Sequence, residues 1–272
     1  MKSKVILITG STDGIGYQTA YELLKLGHTI ILHGRNKEKT FLSKEKLSSA
    51  FDRDKIHCVY GDLSSLTQVE TISEKVLNQF NKLDVLINNA GIYSNHFSLS
   101  KDGFELTFAV NHLAHFHLTN QLLPLIKESD NGRIINVSSV AHKRGKLELE
   151  NINDQNTFSP YGSYAQSKLA NVLFSNLLAD KLNGTKITSN SLHPGVISTK
   201  LLKKGFGISG ASLETGAATS VYLADSENLV NTNGKYFDNC KEEISAPLVV
   251  DKTLQHDLWE FSEKATGKSF NI

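Results

Sequence analysis

Short runs of β-branched and aliphatic residues alternate along this chain with longer stretches of helical periodicity. That alternation points to a parallel sheet covered by helices on both faces. The strand runs are Lys4–Thr9, Thr29–His33, Ile56–Tyr60, Leu83–Asn88, Arg133–Ser138, Lys186–His193 and Gly234–Phe237. They read as near-continuous apolar stretches, as strands buried on both faces require. Gly14–Leu26 puts Ile15, Thr19, Leu23 and Leu26 on one helical face, and Gly27 supplies the stop. Ser64–Phe80 opens with a Ser-Ser cap and carries Leu66, Val69, Ile72, Val76 and Phe80 at similar spacing. Of the four prolines, only Pro124 falls where a helix interior could run. No repeat, low-complexity segment or Pro/Gly/Ser linker divides the chain. Residues 1–272 therefore read as one α/β domain, a doubly wound parallel sheet of about seven strands.

Charge and composition exclude other classes. With 29 Lys+Arg against 28 Asp+Glu, the chain lacks the basic field of a nucleic-acid binder. No apolar run approaches the roughly 18 residues of a membrane helix, so no membrane span is expected. The opening MKSKVILITGS ends in a Thr-Gly turn and reads as a strand, not a signal peptide. Two cysteines, Cys58 and Cys240, cannot build a disulfide framework or a four-ligand zinc site. Cys58, within IHCVY, reads as a buried small hydrophobe. A reducing, soluble compartment, the cytoplasm, is the expectation.

The first strand runs directly into Gly10-Ser11-Thr12-Asp13-Gly14-Ile15-Gly16 and then into a helix. Glycines let the backbone turn tightly and approach a pyrophosphate, while the helix N-terminus offers unpaired N–H groups and the positive end of its dipole. In this strand–turn–helix context the turn reads as a dinucleotide site. The lysine and Ser/Thr of a P-loop are absent. The second strand ends at His33 and continues Gly34-Arg35-Asn36, with no carboxylate to hold the ribose 2′-hydroxyl of NAD. An arginine there can grip a 2′-phosphate instead, so NADP(H) is favoured over NAD(H). Asp13 adds an opposing negative charge nearby.

Tyr164-Ala165-Gln166-Ser167-Lys168 opens a helix that runs through Leu182. Residues four apart share a face, so the Tyr164 phenol and the Lys168 ammonium point into one space. A neighbouring cation favours the phenolate and makes a tyrosine a usable base near neutral pH. Val137-Ser138-Ser139, Asn88-Asn89-Ala90-Gly91 and His193-Pro194-Gly195 follow other strands, so polar or glycine-bearing turns face one crevice at the carboxyl edge of the sheet.

Taken together, TGSTDGIG at Thr9–Gly16, NNAG at Asn88–Gly91, Asn111, VSS at Val137–Ser139, YAQSK at Tyr164–Lys168 and HPG at His193–Gly195 resemble the short-chain dehydrogenase/reductase family. The resemblance covers nearly the whole chain with the motifs in family order, and it implies a Rossmann-type fold. It further implies a catalytic tetrad. Tyr164 would be the acid/base, and Lys168 would lower its pKa and hold the nicotinamide ribose. Ser139 would orient and polarise the substrate oxygen, and Asn111 would support a water chain to Lys168, leaving Ser138 structural. It assigns Asp62 and Leu63 to the adenine, Asn89, Ala90 and Gly91 to the adenosine side, and Pro194, Gly195, Val196 and Thr199 to the nicotinamide or pyrophosphate side.

Ser139 and Tyr164 are 25 positions apart, longer than is usual in the family, with Lys143–Phe158 as the insert. NHLAHFHLT at Asn111–Thr119, SSVAH, SKLAN and the terminal LWEFSEKATG are similar to the branch of the retinol dehydrogenases, which also includes relatives of protochlorophyllide reductase. That branch implies an apolar ketone, aldehyde or alcohol as substrate, and the family implies a homodimer or homotetramer. His112, His115 and His117 do not share one helical face and read as packing histidines, so no metal site is expected. Ile197–Leu213, apolar and interrupted by glycines, reads as a mobile substrate lid. The rival readings are a catalytically silent dinucleotide-binding sensor or scaffold, and a 3-oxoacyl-thioester reductase.

Overall fold

The computed structural model describes residues 2–272. Strands β1 (Val5–Ile8), β2 (Thr29–Gly34), β3 (Ile56–Tyr60), β4 (Val85–Asn88), β5 (Gly132–Val137), β6 (Ile187–His193), β7 (Tyr236–Asp238) and β8 (Lys241–Glu242) form one sheet in the order β3-β2-β1-β4-β5-β6-β7-β8. All neighbours pair in parallel except β7 and β8. The helices are α1 (Gly14–Lys25), α2 (Lys37–Ser48), α3 (Leu66–Gln79), the short α4 (Leu106–Phe108), α5 (Ala114–Lys127), α6 (Pro160–Lys181), α7 (Lys200–Phe206), α8 (Leu213–Asp225) and α9 (Lys252–Thr266).

Strand side chains alternate between two cores, which explains why the strands are apolar throughout. Ile6, Ile8, Ile30, Leu32, Val85 and Ile87 face the layer that holds Ala20 and Leu23 of α1 and Leu223 of α8. Leu7, Ile31 and Leu86 face the opposite layer, with Val69 and Ile72 of α3, Phe116 and Leu122 of α5, and Phe174 and Leu178 of α6. Each such fully buried aliphatic side chain stabilises the fold by about 1.5–3 kcal/mol before entropy is charged.

Several element ends depart from the sequence reading. The helix that carries Tyr164 and Lys168 starts at Pro160, a turn ahead of Tyr164, because Ser159 caps it through its Oγ and Pro160 fits the first turn. Helix α3 begins after Ser65, but that serine makes no side-chain cap; the Asp102 carboxylate accepts the Leu66 N–H at 2.9 Å. Leu26 ends α1 on the exposed side, and Ala20 and Leu24 take the buried positions beside Thr19 and Leu23. Pro124 lies inside α5, held by buried Leu122, Leu123, Leu125 and Ile126 around it. The strand β8 was not expected; Asn239 (φ 48°) and Cys240 (φ 59°) make the left-handed turn into it, without the glycine that signals such a hairpin.

The sheet order turns back between β1 and β4: β2 and β3 lie to one side, β5 to β8 to the other. Connections leaving the carboxyl ends of β1 and β4 therefore part, and a crevice opens between them.

Candidate active site

A cleft of about 860 Å³ occupies that crevice. Its floor at one end is the turn after β1. A Cβ at Gly10 would stand 2.9 Å from the Ala90 Cα, and one at Gly16 would stand 2.4 Å from the Gly10 carbonyl oxygen. Backbone therefore packs against backbone, and Gly10, Thr12, Asp13, Gly14, Ile15 and Gly16 all line the cleft. Asp13 caps α1 by accepting the Gly14 N–H at 2.9 Å. The Lys200 ammonium pairs with the same carboxylate and holds its pKa below the usual range, so the charge that opposed a phosphate in the sequence reading is compensated.

Two expected cofactor contacts are placed elsewhere. Ser11 is fully buried; its hydroxyl donates to the Ile8 carbonyl at 2.8 Å and accepts the His33 N–H at 2.9 Å, tying β1 to β2. Asn36 spends its Oδ1 on the Lys39 N–H as the cap of α2, and neither residue lines the cleft. Arg35 does line it, exposed at the end of β2.

Asp62, Leu63, Asn89, Ala90 and Gly91 form the adjoining wall. The Asp62 Oδ1 accepts the Ser64 N–H at 3.0 Å. Thr9, one position ahead of the glycine turn, organises the 89–91 turn: its hydroxyl oxygen accepts the N–H groups of Asn89 and Ala90, each at 2.9 Å. The same hydroxyl lies 2.9 Å from His115 Nε2, and His115 Nδ1 lies 3.0 Å from the Asn111 carbonyl oxygen. The sequence reading missed this link, because a histidine read as packing carries no local signal of its distant partner.

At the far end stand Ser139, Tyr164 and Lys168. Tyr164 is 7% exposed, and the Lys168 Nζ lies 5.7 Å from its ring centroid. Lys168 donates to the Val137 carbonyl at 3.0 Å, and the Ser138 hydroxyl donates to the Lys168 carbonyl at 2.7 Å. Ser138 thus fastens α6 to the end of β5. Burial pushes the Tyr164 phenol up to about 12 against a hydrogen bond from Ser139 that lowers it, and burial brings Lys168 down to about 8. The direction is opposite to the depression expected at Tyr164, because desolvation is the largest cause at both groups.

Asn111 does not reach the cleft. It is fully buried in a widened turn, Ala109–Leu113, between α4 and α5. Its Oδ1 accepts the Ile92 N–H at 2.8 Å, and its Nδ2 donates to the Ile92 carbonyl at 3.1 Å and to Ser167 Oγ at 2.9 Å. Gly91 lies between it and Lys168: a Cβ there would be 3.4 Å from Lys168 Nζ and 3.5 Å from Asn111 Oδ1.

Pro194, Gly195, Val196 and Thr199 close the cleft from the β6 side, where Thr199 caps α7 through the Leu202 N–H at 3.1 Å. The sequence reading passed over two aromatic rings, Tyr93 and Tyr161, which join Phe206 of the lid segment beside Tyr164. Tyr93 packs 5.5 Å from Tyr164 and 5.0 Å from Phe206, and Tyr161 lies 6.2 Å from Phe206. The three histidines diverge: His112 bonds Ser262 at 2.9 Å, His115 reaches Thr9, and His117 faces Glu70 at 3.4 Å. Among the described residues, no helix is long and apolar enough to cross a membrane.

The model of the short chain dehydrogenase family matches residues 4–206. Human retinol dehydrogenase 14 is 39% identical, over 98% of this chain and 87% of its own length. The short-chain dehydrogenase TIC 32 A, chloroplastic, of Brassica napus is also 39% identical, over 97% of this chain and 88% of its own. The crystal structure of an uncharacterized protein from Mycobacterium Paratuberculosis matches with a TM-score of 0.83 at 30% identity, covering 99% of this chain and 95% of that one. With the motif order, the sheet topology and these likenesses in agreement, the chain belongs to the short-chain dehydrogenase/reductase family of oxidoreductases, in its retinol-dehydrogenase-like branch.

Proposed function

We propose that this protein is an NADP(H)-dependent oxidoreductase that interconverts apolar ketones or aldehydes with their alcohols. One observation carries the reading: a single cleft has a backbone-lined glycine turn and Arg35 at one end, and a buried phenol with a serine hydroxyl at the other. The residues fit a dinucleotide. A Cβ at Gly10 or Gly16 would collide with backbone or with Asn89, so the turn keeps its N–H groups and helix end open to a pyrophosphate. No carboxylate stands in residues 33–36, and Arg35 is the cation available to a 2′-phosphate.

NADP(H), when bound, supplies or accepts the hydride. Tyr164 keeps its proton at neutral pH, since burial holds the phenol high, and in reduction it donates that proton to the substrate oxygen. Lys168, charged below about pH 8, then stabilises the phenolate left behind. Ser139 Oγ donates a hydrogen bond to the oxygen as negative charge develops on it. In the oxidative direction Tyr164 must first release its proton to solvent, after which the phenolate, beside the Lys168 ammonium, takes the alcohol proton. Leu201, Phe206 and Ile208 supply the apolar wall, and segment 197–213 is the lid that carries them.

NADPH consumption across a panel of aliphatic and aromatic carbonyls tests the reading. Turnover that Tyr164→Phe abolishes supports it. Dinucleotide binding without consumption, unaltered by that substitution, would leave a sensor or scaffold instead.

A further inference from the structure

Segment 145–158, within the Lys143–Phe158 insert, packs onto α6 just after Tyr164 and is linked through Glu105 to Ser163 just before it. At its start, Gly145 comes so close that a Cβ there would stand 2.6 Å from the Ala165 carbonyl oxygen and 2.9 Å from Leu169 Cβ. Leu147, Leu149 and Ile152 then pack against the buried cluster of Phe108, Leu113 and Leu169. Next, the Asn153 Oδ1 accepts the backbone N–H of Glu105 at 2.8 Å.

Glu105 is 1% exposed. Its carboxylate accepts the N–H groups of Thr107 at 2.9 Å and Phe108 at 2.8 Å, capping the helical run that leads to Asn111. It also accepts the Ser163 hydroxyl at 2.5 Å. A buried carboxylate is tolerated only with donors of this kind, and hydrogen bonds to a charged acceptor are the strong ones. One residue, through its backbone N–H and its carboxylate, therefore joins the insert, the Asn111 run and the first turn of α6. Ser163 and Ala165, the two points held, flank Tyr164.

We propose that segment 145–158 is a brace that positions Tyr164, acting through Asn153, Glu105 and Ser163. The proposal rests on the reading of Tyr164 as the proton-transfer group. Glu105 and Ser163 are positioning residues. The first turn of a helix has few intrahelical N–H bonds, and in α6 Ser159 alone receives those of Gly162 and Ser163, so a side-chain tie at Ser163 adds to its fixation. A displacement of about 1 Å at a reacting group can cost about 100-fold in rate. The Glu105–Ser163 bond on one side of Tyr164 and the close approach of Gly145 to Ala165 on the other hold the phenol oxygen to one place.

Ser163→Ala cuts the link to α6 and leaves both backbone bonds of Glu105 in place. The expected result, with NADPH and nonanal as probes, is a fall in kcat of about tenfold. NADPH affinity by fluorescence titration stays at the wild-type value, and the thermal midpoint falls by only a few degrees. Ser163→Thr, which restores the hydroxyl, recovers kcat, and amide exchange across 163–168 quickens in the alanine variant alone. Wild-type kcat in Ser163→Ala alongside an inactive Tyr164→Phe overturns the brace, as does a kcat loss matched by an equal loss of NADPH affinity. Unchanged amide exchange across 163–168 overturns it whether or not nonanal is turned over. An active Tyr164→Phe variant would remove the underlying reading instead.

Discussion

The Lys168 ammonium donates to the carbonyl oxygen of Val137 at 3.0 Å, fixing the cation on the last residue of β5, just ahead of Ser138 and Ser139. The lysine is thus anchored before any ligand arrives, and its charge state decides what the neighbouring phenol can do.

That charge state sets a pH limit. Burial brings Lys168 down to about 8 and holds Tyr164 near 12, so at neutral pH the phenol is protonated and the amine charged. As pH rises through about 8, the amine loses its proton while the phenol keeps its own, and the phenolate formed on donation loses its counter-charge. The kcat/KM for carbonyl reduction should hold between pH 6 and 7 and decline above about 8. Lys168→Arg, which cannot deprotonate, should remove that decline whatever its effect on absolute rate. A profile of initial rates at saturating NADPH checks both.

Arg35 should discriminate between dinucleotides. Hydrogen bonds to a charged group contribute about 1.5–3 kcal/mol, so Arg35→Ala should weaken NADPH binding about 10- to 100-fold. NADH binding should not change, because the arginine has no phosphate to meet there. Paired fluorescence titrations give the answer, and equal losses for both dinucleotides would contradict the assignment.

Acid should destabilise the fold before its carboxylates are protonated. Burial holds His33 down to about 4 and His112 and His115 down to about 3. Each is neutral in the folded chain and becomes protonated in the unfolded chain below about pH 6.5. Their contribution is fully present above that value and is lost as pH falls toward the folded pKa values. The loss is about 1.4 kcal/mol per pH unit for each histidine. Urea midpoints at pH 7.5, 6 and 5 should fall steeply, and His115→Gln should reduce the slope. A flat series would show that these rings take up protons as readily in the folded chain as in the unfolded one.

The two candidate caps of α3 make opposite predictions. Asp102→Ala removes the acceptor of the Leu66 N–H and should cost about 1 kcal/mol. Ser65→Ala removes a hydroxyl that makes no cap bond and should leave the urea midpoint unchanged. Denaturation of the two variants side by side separates them.

The parallel sheet and the glycine turn were readable in the sequence because local physics marks them. Strands buried on both faces need unbroken apolar runs such as Ile6-Leu7-Ile8, and a turn that must meet backbone at Ala90 needs glycine at Gly10. The pair Tyr164 and Lys168 was readable for the same reason, as one helical turn brings them to one face. Other features depend on partners far along the chain. Ser11 and Asn36 carry the residue types of a binding turn, yet their side chains are consumed by strand pairing and a helix cap. Asn111 is drawn behind Gly91 by Ile92 and Ser167, and the α3 cap comes from Asp102, 36 positions away from Leu66. Hydrogen-bond partners at such separations, and the desolvation that reverses the expected shift at Tyr164, exist only once the chain has packed. Periodicity and turn chemistry therefore set the architecture and the chemical inventory of this protein. Burial and long-range pairing, which act only in three dimensions, decided which of those groups face the cleft and in what protonation state.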